Sequence, residues 1–151
     1  MQLASSAFAP NASIPSEFTC DGGNYNPPLD FLDVPAAAKS LVLIMEDPDV
    51  PTHLRADGMF DHWVLWNIQP ETRHIAAGEA PLGEMGVTTR GVSGYTGPCP
   101  PDREHRYFFK LFALSEKLDL PTGSTKAEVL AAAEQYIIID AQLMGKYNRQ
   151  R

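Results

Sequence analysis

The chain has 151 residues, the size of one ordinary domain with its own core, and residues 1–151 read as a single domain. With 44% hydrophobic and 21% charged residues it has a globular composition. No apolar run approaches the roughly 20 residues that span a bilayer, so no transmembrane segment is expected. The net charge of −7, from 12 basic and 19 acidic residues, argues against a nucleic-acid partner, because phosphate backbones are held mainly by clustered Lys and Arg.

The start, Met1-Gln2-Leu3-Ala4-Ser5-Ser6, has neither a basic cluster nor a long apolar stretch. No signal peptide is visible and a cytoplasmic location is expected. Cys20 and Cys99 are too few for a secreted disulfide scaffold, and no C-x-x-C suggests a zinc ribbon or redox centre. Two reduced thiols are the expected state, with a Cys20–Cys99 bridge as the alternative.

Prolines and glycines concentrate in residues 22–35, 47–58 and 91–101, the texture of short strands joined by shaped loops in a β-sandwich or barrel. Ser40 to Met45 (SLVLIM) is a nearly continuous apolar run, which predicts a strand buried on both faces. His62 to Ile68 (HWVLWNI) and Arg106 to Leu114 (RYFFKLFAL) carry the aromatic and branched residues that strands favour. Thr125-Lys126-Ala127-Glu128 is a capping box. Leu130, Ala133, Ile137, Ala141 and Met144 then continue at helical spacing to a stop at Gly145, although the β-branched Ile137-Ile138-Ile139 run allows a break.

Polar residues gather where these strands begin and end. The first long strand runs into Asp47-Pro48-Asp49-Val50-Pro51, and the chain returns to a strand at His62. If the two are antiparallel neighbours, Asp47 and His62 share one end of the sheet. The loop Gly94-Tyr95-Thr96-Gly97-Pro98-Cys99-Pro100-Pro101 is stiffened by prolines and leads into His105-Arg106-Tyr107. Strict alternation puts His105 and Tyr107 on one face with Phe109 and Leu111, and His62 on one face with Val64, Trp66 and Ile68.

The strings DPDVP from Asp47, HWVLWNI from His62, GYTGPCPP from Gly94 and HRYFF from His105, in this order, resemble the phosphatidylethanolamine-binding protein family. The resemblance is strongest to its bacterial and archaeal branch, the Raf kinase inhibitor-like proteins. IPSEFTCDGGNYNPPL from Ile14, VPAAAKSLVLIMEDPD from Val34 and QLMGKY from Gln142 extend it over almost the whole chain. The segment GEMGVTTRGVSGY (Gly83–Tyr95) departs from the family pattern, which often carries an Asn-containing stretch there.

The resemblance implies a mainly β fold of two packed antiparallel sheets with a C-terminal helical segment. It implies a cavity for phosphate-like anions or phospholipid headgroups, with Asp47, Asp49, Pro51, His62, Gly97, Pro98, His105 and Tyr107 as ligand-binding positions. Family members are described as headgroup binders, kinase-pathway modulators, protease inhibitors and, in plants, flowering regulators, so a kinase or protease is the implied protein partner. No cofactor is implied.

In the expected arrangement His62, His105 and the Tyr107 hydroxyl donate to an anion, joined by backbone amides around Gly97. Asp47 and Asp49 act as tuners rather than direct contacts, at least one of them orienting a histidine and raising its pKa, so that binding weakens as pH rises through the histidine range. A hydrolytic enzyme is the rival reading, but no nucleophile elbow, Walker loop or H-E-x-x-H motif is present. A metal site of Asp47, Asp49, His62 and His105 has no supporting ligand spacing. The loop 52–61 is the natural surface for a protein partner, and the aromatic strand 106–114 suits a sandwich interior or a homodimer contact.

Overall fold

The computed structural model describes residues 1–150. Eight strands and one helix follow in chain order. They are β1 (Gln2–Ala4), β2 (Leu29–Leu32), β3 (Ser40–Asp47), β4 (Phe60–Ile68), β5 (His74–Ile75), β6 (Glu84–Met85), β7 (His105–Leu114), α1 (Lys126–Ala133) and β8 (Ile137–Tyr147). Strands β1, β2 and β5 form a small antiparallel sheet, and the larger antiparallel sheet runs β6-β4-β3-β7-β8.

The apolar run of β3 explains its central position. All eight of its residues are buried. Leu41, Leu43 and Met45 join Leu3, Phe31, Leu65, Phe109 and Leu111 beneath the small sheet. Val42 and Ile44 pack on the opposite side with Val64, Trp66, Val129 and Ala133, where α1 covers the sheet. Each such side chain contributes about 1.5–3 kcal/mol by leaving water, so a strand apolar on both faces is most stable with a layer on each side.

The capping box forms as its residues predict: the Glu128 amide donates to Thr125 Oγ1, and the Thr125 amide donates to Glu128 Oε1. The helical stripe does not continue to Met144. The helix ends at Ala133, a short 3-10 turn covers Glu134–Tyr136, and β8 then pairs antiparallel with the full length of β7, from His105↔Tyr147 to Leu114↔Ile137. The β-branched Ile137-Ile138-Ile139 run favours the strand, and the ladder to β7 supplies it with partners. The helical segment is therefore one short helix before the last strand. Gly145 stops no helix; a side chain there would collide with Phe8 and Ile14.

One irregularity sets the direction of His62. Between β3 and β4 the register passes from Met45↔Trp63 to Glu46↔Asp61, leaving His62 as the extra residue of a bulge. A bulge turns its side chain out of simple alternation. His62 therefore does not share a face with Val64 and Trp66, which pack toward α1. Its ring instead meets Tyr107 edge-on, at 5.3 Å between centroids, on the other side of the sheet.

Candidate functional site

The antiparallel pairing of β3 with both β4 and β7 brings Asp47, His62, His105 and Tyr107 to one end of the central sheet. There they line a cavity of about 530 Å³. Phe60, Leu54, Arg55, Thr89 and Arg90 form further parts of the wall, with Asn24, Thr96, Gly97 and Pro101. Cys20 and Cys99 also line it and are joined as a disulfide, so the expectation of two reduced thiols is overturned. The folded chain brings the two Cα atoms within 5.5 Å, a proximity that a separation of 79 positions conceals.

The bridge is one of several ties between two segments. The Cys20 amide donates to the Pro98 carbonyl at 3.1 Å, the Gly97 amide to Asn24 Oδ1 at 2.8 Å, and the Tyr95 hydroxyl to the Phe18 carbonyl at 2.8 Å. Gly97 is required for this fit, because a Cβ there would run into Asn24 Oδ1 and the Phe18 carbonyl. The amide expected to receive an anion is thus already engaged within the wall.

His105 is fully buried and held from both sides. Its Nδ1 lies 2.7 Å from Asp47 Oδ2, and its Nε2 lies 2.6 Å from Asp102 Oδ1. Asp47 Oδ1 in turn accepts the Asp49 amide at 2.8 Å. Burial raises the Asp47 pKa, while the His105 hydrogen bond opposes that rise. Asp102 is partly desolvated, yet the His105 hydrogen bond leaves its pKa below the ordinary carboxylate value. With both ring nitrogens occupied, His105 does not offer the anion-facing donor expected of it.

His62 behaves differently again. Its Nδ1 lies 2.6 Å from the Thr96 carbonyl, and a carbonyl can only accept, so that nitrogen carries the hydrogen. Burial lowers the His62 pKa to about 4, the Thr96 bond opposes this, and nearby His105 and Arg90 lower it further. The expected raised pKa is replaced by a depressed one. Tyr107 is also wholly buried; its hydroxyl lies beside the Cys99 amide but makes no hydrogen bond of ordinary geometry. Burial and the Asp47 charge raise its pKa.

Asp49, Pro51 and Pro98 do not line the cavity. Asp49 faces Arg106, taking the guanidinium in a two-pronged pair at 2.9 and 2.8 Å together with the Arg106 amide at 2.9 Å. That contact lowers the Asp49 pKa to about 2, so its partner is an arginine and not a histidine. The Pro51 carbonyl caps the turn at Leu54 and Arg55, and the Pro98 carbonyl receives Cys20.

Sequence reasoning missed Arg90, Asn24 and Asp102. Arg90 lies in the Gly83–Tyr95 segment, where the chain departs from the family pattern, and stacks its guanidinium 5.9 Å from the Phe60 ring centroid. Asp102 stands three positions before His105, a spacing that could have suggested the contact. Among the described residues no group of three or more His, Cys, Asp or Glu is arranged to hold a metal ion.

Comparison with known proteins agrees with this architecture. A sequence profile described as phosphatidylethanolamine-binding protein matches residues 4–148. A UPF0098 protein of Chlamydia pneumoniae is 47% identical over 149 residues, covering 99% of each chain. A UPF0098 protein of Methanothermobacter thermautotrophicus is 44% identical over 155 residues, again covering 99% of each. A crystal structure described as a phosphatidylethanolamine-binding protein homolog from Chlamydia trachomatis superposes with a TM-score of 0.96 at 45% identity, covering 99% of this chain and 97% of that one.

Proposed function

This chain belongs to the phosphatidylethanolamine-binding protein family, and from that premise and the cavity's geometry we propose that it binds a small phosphate-bearing ligand, either a free phosphate-like anion or a phospholipid headgroup. The observation that carries the reading is a cationic donor and an unsatisfied buried donor lining the same cavity. Arg90 has no carboxylate partner among the described residues, and the Tyr107 hydroxyl is buried without a hydrogen bond. An unsatisfied buried hydroxyl costs about 1–3 kcal/mol, a deficit that a ligand oxygen would remove.

Binding rather than turnover suits this arrangement. Both nitrogens of His105 are held by carboxylates, and the sulfurs at the cavity are joined to each other, which removes the thiolate a nucleophilic mechanism would use. Isothermal titration of the purified protein with phosphate and with phosphoethanolamine tests the reading, with Arg90→Ala as the control. We expect saturable binding that Arg90→Ala weakens by about tenfold, the size of a lost charge-assisted contact of about 1.5 kcal/mol. Binding unaffected by Arg90→Ala, or none by the unaltered protein, refutes it.

A further inference from the structure

The cavity's free hydrogen-bonding atoms differ in kind. On the donor side stand the Arg90 guanidinium, the Tyr107 hydroxyl and the Asn24 side-chain amide, whose Oδ1 is already engaged by Gly97. On the acceptor side stands His62 Nε2. The tautomer follows from geometry: Nδ1 gives its hydrogen to the Thr96 carbonyl, so the neutral ring leaves Nε2 as a bare lone pair with no partner among the described residues.

The groups around this ring keep it neutral. His105 and Tyr107 face it from β7, Arg90 from the 88–94 turn and Phe60 from its own strand. Asp47, the cavity carboxylate on β3, has its charge directed at His105. Burial and the Arg90 charge agree in disfavouring a proton on Nε2.

A fully deprotonated oxyanion would set its own lone pairs against that nitrogen. A phosphoryl group bearing one hydrogen would not, because its P–OH donates where the cavity accepts. We propose that the cavity takes its phosphoryl ligand in the monoprotonated form, with the P–OH donating to His62 Nε2 and the remaining oxygens accepting from Arg90 and Tyr107, and that it therefore discriminates against sulfate. This rests on the proposed binding of phosphate and names the protonation state that such binding requires.

Calorimetric titration of the unmodified protein at pH 7.5 tests it, with inorganic phosphate, phosphoethanolamine and sulfate, each in two buffers of different ionisation enthalpy. A phosphomonoester has its second pKa near about 6, so at this pH most of it must gain a proton to bind. The expected result is uptake of close to one proton per phosphoethanolamine bound, and sulfate weaker by at least about tenfold. Binding of inorganic phosphate or of phosphoethanolamine with this signature supports the proposal and commits the cavity to free phosphate or a phosphomonoester, because an intact phospholipid headgroup is a phosphodiester with no P–OH to donate. Sulfate binding as tightly, with equal proton uptake, would place the proton on His62 and overturn the proposal while leaving phosphate binding intact. Phosphoethanolamine binding without proton uptake would overturn it equally. Absence of binding by either phosphoryl ligand would remove this proposal together with the phosphate-binding function beneath it.

Discussion

Replacing both Cys20 and Cys99 with Ser removes the bridge and leaves the neighbouring hydrogen bonds in place. The bridge spans 79 positions. Closing a loop of that length in the unfolded chain is worth about 4.5 kcal/mol in the chain-entropy picture, and measured bridges more often give about 2–4 kcal/mol. The folded state should change little, because Gly97 and Asn24, Tyr95 and Phe18, and the Cys20 and Pro98 backbones still tie the same two segments. The loss therefore falls mainly on the unfolded side. With a urea slope of about 1–3 kcal/mol per molar, the unfolding midpoint should drop by about 1–3 M in the double variant. Urea titration followed by tryptophan fluorescence measures this, with thiol quantification on the unaltered, urea-unfolded protein as the companion assay. Coincident midpoints, or two titratable thiols in the oxidised protein, would refute the reasoning.

Tyr107→Phe should leave stability unchanged or raise it by about 1 kcal/mol, since it deletes a buried hydroxyl that lacks a partner, while weakening phosphate binding several-fold; chemical denaturation and calorimetry on one preparation read both. His62 has a pKa lowered to about 4 from an ordinary 6.5, so the unfolded chain takes up this proton first as the solution is acidified. Stability should be unaffected by His62 above pH 6.5 and fall by about 3 kcal/mol between pH 6.5 and 4. His62→Gln should flatten that slope in pH-dependent urea melts, and an unchanged slope would contradict the assignment. Asp49→Asn should cost no more than about 1 kcal/mol, given the half-exposed Arg106 opposite, and leave phosphate affinity within about twofold; a large loss of affinity would return Asp49 to the site.

The central strands were legible because their signals were local. SLVLIM is apolar without interruption, and a strand with that pattern needs a cover on each face, as β3 has. The cap at Thr125 and Glu128 was legible for the same reason. Strand β8 was not, because Leu130, Ala133, Ile137, Ala141 and Met144 fit a helical period by coincidence. The alternation of Leu143, Gly145 and Tyr147, all inward, was the competing signal, and pairing with β7 decided between them. At the site, residue types could be read but directions could not. Alternation placed His62 on the wrong face because a bulge depends on the partner strand. The histidine and carboxylate pairing expected of the two aspartates forms at Asp47 but not at Asp49, whose neighbour Arg106 becomes its partner only when β3 and β7 lie side by side.

The ties between residues 18–24 and 95–99 have a kinetic side. Two loops joined by a covalent bond and three hydrogen bonds cannot fray independently, so the amides of Cys20 and Gly97 should exchange with solvent on one shared clock, set by a sub-global opening rather than by local flapping. That wall of the cavity should therefore open only as one unit. The rim at Leu54 and Arg55 is exposed and held by bonds within its own turn, so its amides should exchange on a separate and faster clock.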